Sequence, residues 1–295
     1  MHTKTYQVFT HKDFDGAVSL LVFLWARSKS PVHFQELNNL NVTEKLNQYA
    51  NNTANPFPTL VLDFALRPEF KNCDQSHFTF IDHHKSSENY LNTFKNCKVL
   101  YKEFSSNARW MYKLFEKDLT HLTQSQKYLI ALADDFDCYK LQLPHSYDLN
   151  ILFWSEYRQE FGRFIKDFKE GFKNFSSSQI KRIESIKKAA KAEAQKIQKF
   201  EGTIKIGDTN KYTVAALTDN TTNLVMDEII NEYNPELFFF INTKSEKVSL
   251  RQSRNNPIDL GAFAEKICEG GGHFHSAGGK ITPLFLEITK NLKPL

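Results

Sequence analysis

Residues 6–16 read YQVFTHKDFDG, and the order of residue types within them decides the fold. Tyr6 to Thr10 is a short run of apolar and β-favouring residues, the length of a strand and too short for a helix. His11-Lys12-Asp13-Phe14-Asp15-Gly16 follows at once, and from about Asp15 to Arg27 the chain is apolar enough to form a buried helix. That is the opening of a β-α unit. Working outward, strands are expected at Val32 to Glu36, Thr59 to Leu62, Phe78 to Ile81 and Lys98 to Tyr101, with helices near Thr43 to Ala50 and Ser105 to Glu116. Such alternation predicts an α/β fold with a mostly parallel sheet flanked by helices. Ligands of such sheets collect beyond the carboxyl ends of the strands, where loops and helix N-termini form a crevice.

The acidic residues fall at those strand ends. The strand ending at Thr10 is followed by His11, Asp13 and Asp15, the one ending at Leu62 by Asp63, and the one ending at Ile81 by Asp82, His83 and His84. A fourth group, Asp134-Asp135 in ALADDFD, closes an apolar helical stretch. Each piece alone has a plainer explanation. An Asp-x-Asp after a strand caps a helix or closes an Asx turn, and acids late in a helix can simply be solvated. Together they pose an electrostatic problem, because two carboxylates about 4 Å apart repel by roughly 4 kcal/mol at an effective dielectric near 20. Divalent cations solve it. Oxygen ligands with a few imidazoles and no thiolate suit Mn²⁺ or Mg²⁺ better than structural zinc, and two cations roughly 3.5 to 4 Å apart clamp the attacked and departing oxygens of a phosphoryl group. The pattern therefore points to a phosphoester hydrolase.

From Thr123 to about Phe200 the pattern is helical and ends in QIKRIESIKKAAKAEAQKIQKF, with Ile180, Ile183, Ile186 and Lys187 at helical spacing. The expected organisation is a catalytic domain over 1–178, a helical linker over 179–201 and a smaller α/β substrate-binding domain over 202–295. Within the last, strands are expected at Thr203 to Ile206, Tyr212 to Leu217, Leu237 to Asn242 and Val248 to Gln252, helices at Thr221 to Tyr233 and Ile258 to Cys268, and a glycine-rich turn at Gly270 to Gly279. Gly270, Gly271 and Gly272 leave backbone amides open to a phosphate. His273 adds a donor, and Arg251 a planar fork suited to phosphate or a base edge. A tight turn with no ligand is the plainer explanation of the glycines.

The 295 residues suit two modest domains. With 41% hydrophobic and 24% charged residues the chain is neither disordered, collagen-like nor coiled coil. Ala17 to Ala26, the longest apolar run, falls short of the ~20 residues of a membrane span, and Met1 to Lys12 has no signal-peptide core. Cys73, Cys97, Cys138 and Cys268 form no C-x-x-C pair, so reduced thiols, a cytoplasmic location and no membrane partner are expected. The net charge of +4 tolerates a polyanionic ligand without predicting one. The 26 phenylalanines carry no functional weight.

HKDFDG, LDF around Asp63, IDHH and ADD, in that order, resemble the four motifs of the DHH phosphoesterase family. KVSLRQS followed by GGGHFHSAGG resembles the DHH-associated substrate-binding domain that accompanies it, so the resemblance runs from His11 to Gly279. It implies a two-domain enzyme using two Mn²⁺ ions, or Mg²⁺ or another divalent ion, to hydrolyse phosphoester bonds. By the same resemblance His11 and Asp13 hold one ion, Asp15, His83 and Asp134 the other, and Asp63 bridges them. Asp82 orients a ligand, and His84 contacts the scissile phosphate and assists the leaving group. Several branches place the first histidine four residues before the first aspartate, whereas His11 lies two before Asp13, which leaves its ligand role open. Asp134 and Asp135 also remain alternatives, with Asp134 preferred because ALADD follows the family's apolar-run-then-Asp order. The HxDxDG motif and the helical linker look most like the nano-RNase branch, which implies short RNA oligonucleotides as substrates and 5′ mononucleotides as products. Cyclic di-AMP and adenosine 3′,5′-bisphosphate are rival substrates, and a non-catalytic nucleotide-binding module is the rival from another class. Oligomeric state is left open, a homodimer included.

Overall fold

Five parallel strands in the order β2-β1-β3-β4-β5 form the first sheet of the computed structural model, which describes residues 4–52, 56–219, 222–253 and 258–295. They are β1 (Tyr6–His11), β2 (Val32–Leu37), β3 (Thr59–Leu62), β4 (Phe78–Asp82) and β5 (Lys98–Tyr101). Between them run α1 (Phe14–Ala26), α2 (Val42–Asn52) and two 3₁₀ segments, Pro68–Cys73 and Lys85–Tyr90. The chain steps from β1 to β2 on one side and then crosses to β3 on the other. This is a topological switch point, where the crossovers diverge and leave a crevice at the carboxyl ends of β1 and β3. The strands expected for this sheet all occur, within one residue at each end.

Every residue of β3 is buried, as are Val8, Phe9 and Thr10 of β1 and Phe80, Ile81 and Asp82 of β4, because helices cover both faces of the sheet. Phe9, Val61, Phe70, Phe78 and Phe80 form the core on one face with Leu46 of α2. On the other, α1 packs with α3 (Asn107–Leu114) and α4 (Gln124–Asp137). Among the described residues the largest fully buried side chains are all phenylalanine. At ~1.5–3 kcal/mol for each buried ring relative to an exposed one, they contribute substantially to the core, so packing accounts for part of the phenylalanine-rich composition. After α4 come α5 (Ser146–Leu152), a π-helical turn (Phe153–Tyr157) and α6 (Phe161–Asp167).

The chain divides into two compact units, Met1–Ile183 and Glu184–Leu295. The division falls inside α7 (Ser177–Lys196), whose Ala190 and Ala194 are buried in the second unit against Val214, Phe238 and Phe240. The second unit is a seven-stranded sheet, β10-β11-β9-β8-β7-β6-β12, in which only β7 and β8 pair in parallel. Its strands are β6 (Gln198–Ile206), β7 (Thr209–Thr218), β8 (Leu237–Asn242), β9 (Lys247–Gln252), β10 (Gly271–His273), β11 (Ser276–Lys280) and β12 (Lys293–Pro294), and its further helices are α8 (Asn223–Tyr233), α9 (Leu260–Cys268) and α10 (Pro283–Thr289). Thr221, where the sequence starts α8, lies outside the described residues.

Several expectations differ from the structure here, among them β7, which starts at Thr209 rather than Tyr212. β6 begins at Gln198 rather than Thr203, because Lys199 turns inward and its Nζ donates to Ala194 O at 2.8 Å and Ile197 O at 2.9 Å, capping α7. The glycine-rich stretch is a β10-β11 hairpin rather than a simple turn. No helix among the described residues is long and apolar enough to cross a membrane.

Candidate metal centre

The register of the first sheet aligns the strand ends that carry the acids. Thr10 lies opposite Leu62, and Leu62 opposite Ile81, so His11, Asp63 and the Asp82-His83-His84 run leave the sheet side by side. Thr10 Oγ1 donates to Gly16 O at 2.7 Å and ties the loop back to β1. A Cβ at position 16 would lie 2.2 Å from His11 O, so only glycine allows α1 to start this close to the strand. Asp13 is the N-cap of α1, its Oδ1 accepting from Gly16 N at 2.8 Å. Its other oxygen, Oδ2, lies 2.6 Å from His11 Nδ1. The plain role of a helix cap and membership of the acidic cluster are thus served by different oxygens of one carboxylate.

Asp63 sits at the middle of the arrangement. Its backbone adopts φ +63, a left-handed conformation that aspartate tolerates better than most residues. The turn sends the side chain back over the sheet edge, 3% exposed. Oδ2 lies 3.8 Å from His11 Nδ1, whereas Oδ1 lies 3.4 Å from His83 Nε2. The two oxygens of one carboxylate therefore face two different groups. On the His83 side, Nε2 is also 3.9 Å from Asp15 Oδ2 and 3.5 Å from Asp137 Oδ2. His83 Nδ1 lies 3.1 Å from Phe104 O. A carbonyl only accepts, so Nδ1 carries the proton and Nε2 is turned toward the acids, the arrangement that prepares a histidine as a metal ligand.

Asp15 is buried at the N-terminus of α3, accepting from Asn107 N at 2.7 Å and Ala108 N at 2.9 Å, where the helix dipole favours negative charge. Asn107 is itself buried, and with its amide oriented to satisfy its neighbours it accepts from Asp63 N at 3.3 Å and donates to Ile81 O at 3.1 Å. Asp82, buried, accepts from Ser87 Oγ and from His84 N, and its Oδ1 lies 2.7 Å from His84 Nδ1, which fixes the His84 ring.

The electrostatics show the strain of so many acids in one place. Burial raises the Asp15 carboxyl well above its usual range, and the Asp63 and Asp137 charges add to it. Burial likewise pushes Asp137 up to about 7, with Asp63 contributing. Burial acts against a charged His11, but Asp13 and Asp63 outweigh it and raise the imidazole to about 11. The same competition raises His83 through Asp63, Asp137 and Asp15. Burial also disfavours the Asp63 charge, yet the flanking His11 and His83 hold that carboxyl below the ordinary range. The raised imidazoles answer to the same negative charge that bound cations would neutralise.

Three sets of side chains place one ligand atom each within 4.8 Å of one another: His11, Asp13 and Asp63; Asp15, His83 and Asp137; Asp63, His83 and His84. Asp63 joins the first to the third, and His83 the second to the third. Asp137 Oδ2 is shielded from solvent and accepts no hydrogen bond, an arrangement costly for a carboxylate unless a cation takes the lone pair. The donor set is oxygen and imidazole without thiolate, which fits a hard divalent ion. Cys138, next in the chain, instead turns its thiol to Asp134 O at 2.9 Å.

Of the residues singled out in the sequence, the structure brings together His11, Asp13, Asp15, Asp63 and His83, with Asp82 and His84 alongside. It does not bring in Asp134, whose carboxylate accepts from Ser105 Oγ and, at 3.0 Å, from Ser106 Oγ. Asp135 is buried at the helix end, accepting from Gln142 N, Leu143 N and Ser146 Oγ. Asp137, one turn beyond Asp134, faces the cluster instead, and neither it nor Asn107 stood out in the sequence.

In the second unit Arg251 lies in β9 opposite Ser276 of the hairpin, with Nη2 3.4 Å from Asn223 Oδ1. Gly272 has φ +150, and a Cβ there would fall 2.5 Å from Ser276 O. At Gly270 it would fall 1.9 Å from Gly278 O. Packing alone therefore demands both glycines. Gly271 differs, since its Cβ position opens onto empty space. The side chain of His273 lies outside the described part of the molecule.

Residues 209–292 match the DHHA1 domain. No curated protein sequence matches the chain. Among solved structures it is similar to the pGpG-specific phosphodiesterase PggH of Vibrio cholerae, at 13% identity and a TM-score of 0.55, covering 97% of this chain and 96% of that one. An exopolyphosphatase-related protein of Bacteroides fragilis matches at 16% identity and a TM-score of 0.54, with 97% and 89% covered. RecJ of Thermus thermophilus, solved with Mn²⁺, matches at 14% identity and a TM-score of 0.56, with 97% of this chain but 51% of RecJ covered. The chain thus has the fold of these proteins, with a DHHA1 domain in its second unit.

Proposed function

We propose that the protein is a phosphodiesterase that uses two divalent cations, Mn²⁺ or Mg²⁺, to hydrolyse short RNA oligonucleotides to 5′ mononucleotides. The observation that carries this is Asp63, whose two carboxylate oxygens face different sets of ligand atoms at the carboxyl edge of the sheet. His11 and Asp13 would hold one ion, Asp15, His83 and Asp137 the other, and Asp63 would be shared. Bound there, the ions would neutralise the phosphoryl oxygens and lower the pKa of water. The chain's own groups do the positioning: Asp82 fixes the His84 ring, so that His84 contacts the scissile phosphate and passes a proton to the departing ribose oxygen. Asp15 is held by the α3 amides and His83 by the Phe104 carbonyl, which keeps the ligand atoms preorganised. In the second unit Arg251, the Gly271 and Gly272 amides and His273 are assigned to the part of the substrate that does not react.

Support for a nucleotide substrate comes from the likeness to PggH over nearly the full length of both chains and from that to RecJ. The test is turnover by the purified chain with Mn²⁺. Di- to pentaribonucleotides should be hydrolysed fastest. Faster turnover of cyclic di-AMP or adenosine 3′,5′-bisphosphate would replace the substrate while keeping the chemistry, and binding of nucleotides without turnover of any would leave a binding module.

A further inference from the structure

The π-helical turn Phe153–Tyr157 joins the site by packing but has no part in the ion-binding set. Arg158 N donates to Phe153 O at 2.8 Å, an i to i+5 bond that widens the helix by one residue. Such insertions are rare and recur at functional sites. Here the turn places Trp154 on the surface, 46% exposed, with the Arg158 guanidinium 4.5 Å from the centre of its ring. Phe153, the preceding residue, is fully buried against Phe161 and Phe164, and its ring lies 6.1 Å from that of Phe14. Phe14 stands between Asp13 and Asp15. A chain of edge-on and tilted ring contacts, Trp154 to Phe153 at 6.4 Å and Phe153 to Phe14, thus connects the exposed indole to the first turn of α1, which follows Asp13 and carries Asp15.

Arg158 and Arg163 make an internal contrast. Arg163 is neutralised locally, with Glu160 at 2.8 Å and Glu156 at 3.6 Å. Among the described residues Arg158 has no carboxylate within ion-pair distance, and its Nε is shielded from water without a hydrogen bond. Its charge is committed to the face of an indole that is itself 46% exposed. A planar cation beneath an exposed indole is the arrangement that stacks a nucleobase, with the guanidinium near enough to favour its phosphate.

We propose that Trp154 and Arg158 form a nucleobase-binding platform on the first unit, where Trp154 stacks a base of the substrate and Arg158 holds the indole in place and favours the adjoining phosphate. This rests on the nucleotide reading of the metal centre, and it assigns a base contact to the unit that carries the acids rather than to the DHHA1 domain. Trp154 is a positioning residue and takes no part in the chemistry.

The test is binding of adenosine 5′-monophosphate and of ribose 5-phosphate to the intact chain by calorimetry, together with KM and kcat for a diribonucleotide. Trp154→Ala should weaken the adenosine nucleotide about tenfold or more and leave ribose 5-phosphate unchanged. Trp154→Phe should restore most of the loss, and in turnover KM should rise while kcat holds. Equal weakening of both probes, an unchanged affinity for the adenosine nucleotide, or no measurable binding of it to the unsubstituted chain would overturn the proposal. If the chain hydrolyses diribonucleotides and Trp154→Ala leaves KM unchanged, the platform falls and the phosphodiesterase stands. If base-dependent binding is lost as described but nothing is hydrolysed, the platform stands and the phosphodiesterase falls.

Discussion

Asp63 and Gly272 both sit at positive φ, one in each unit, +63 and +150. At Gly272 the residue type serves the backbone: the hairpin approaches so closely that a side chain would collide with Ser276 O. At Asp63 the backbone serves the residue type. A left-handed turn at a non-glycine residue costs of order 1 kcal/mol or more, and what it secures is a buried carboxylate among other carboxylates. Polar groups that packing explains are evidence of fold. Polar groups that packing penalises, yet which are held in place by helix amides and a backbone carbonyl, are evidence of function.

That contrast can be broken most severely at Asp63. Asp63→Asn keeps a side chain suited to the left-handed turn while removing one anionic oxygen. Turnover should fall on the order of 1000-fold with an unchanged far-UV circular dichroism spectrum. An active variant would mean that the turn is merely structural. The next effect separates two neighbours on α4. Asp137→Asn should lower turnover on the order of 100-fold, and Asp134→Asn, whose carboxylate only accepts from Ser105 and Ser106, by less than about tenfold. The opposite ranking would return Asp134 to the centre.

On the glycine side the expected changes are in stability. Gly272→Ala should destabilise the second unit by about 2 kcal/mol, seen as a melting temperature several degrees lower, whereas Gly271→Ala should leave it within about a degree because its Cβ meets nothing. A drop at Gly271 as large as that at Gly272 would show that both positions are set by packing. The smallest effect is at Arg251: Arg251→Ala should raise KM about tenfold and change kcat less, as expected of a group that grips a non-reacting part of the substrate. The reverse split would move Arg251 to the chemistry.

The sheet was legible because each strand of the first unit is a short apolar run, and the acids at its edge were legible because they follow those runs directly. Strand ends translate into space without knowledge of packing, since neighbouring parallel strands finish together. Helix α4 offers no such shortcut. Its buried Leu129, Ile130, Leu132 and Ala133 leave three candidate acids within one turn, and which of them faces the site depends on how α4 settles against α1 and α3. Asn107 and the α3 amides escaped notice for a related reason: a buried asparagine and backbone N–H groups carry no pattern in one sequence. Lys199 shows the limit in the second unit, since a lysine in a charged helical stretch reads as solvated, whereas here it turns inward to cap α7.

The most direct measurement is calorimetric titration of Mn²⁺ into chelator-stripped protein, comparing the natural chain with Asp63→Asn. Two ions should bind per chain, with the substitution weakening both because the shared oxygen pair is lost. Absence of saturable binding to the natural chain, or indistinguishable titrations of the two proteins, would contradict the assignment of the β1, β3 and β4 edge as a two-ion centre.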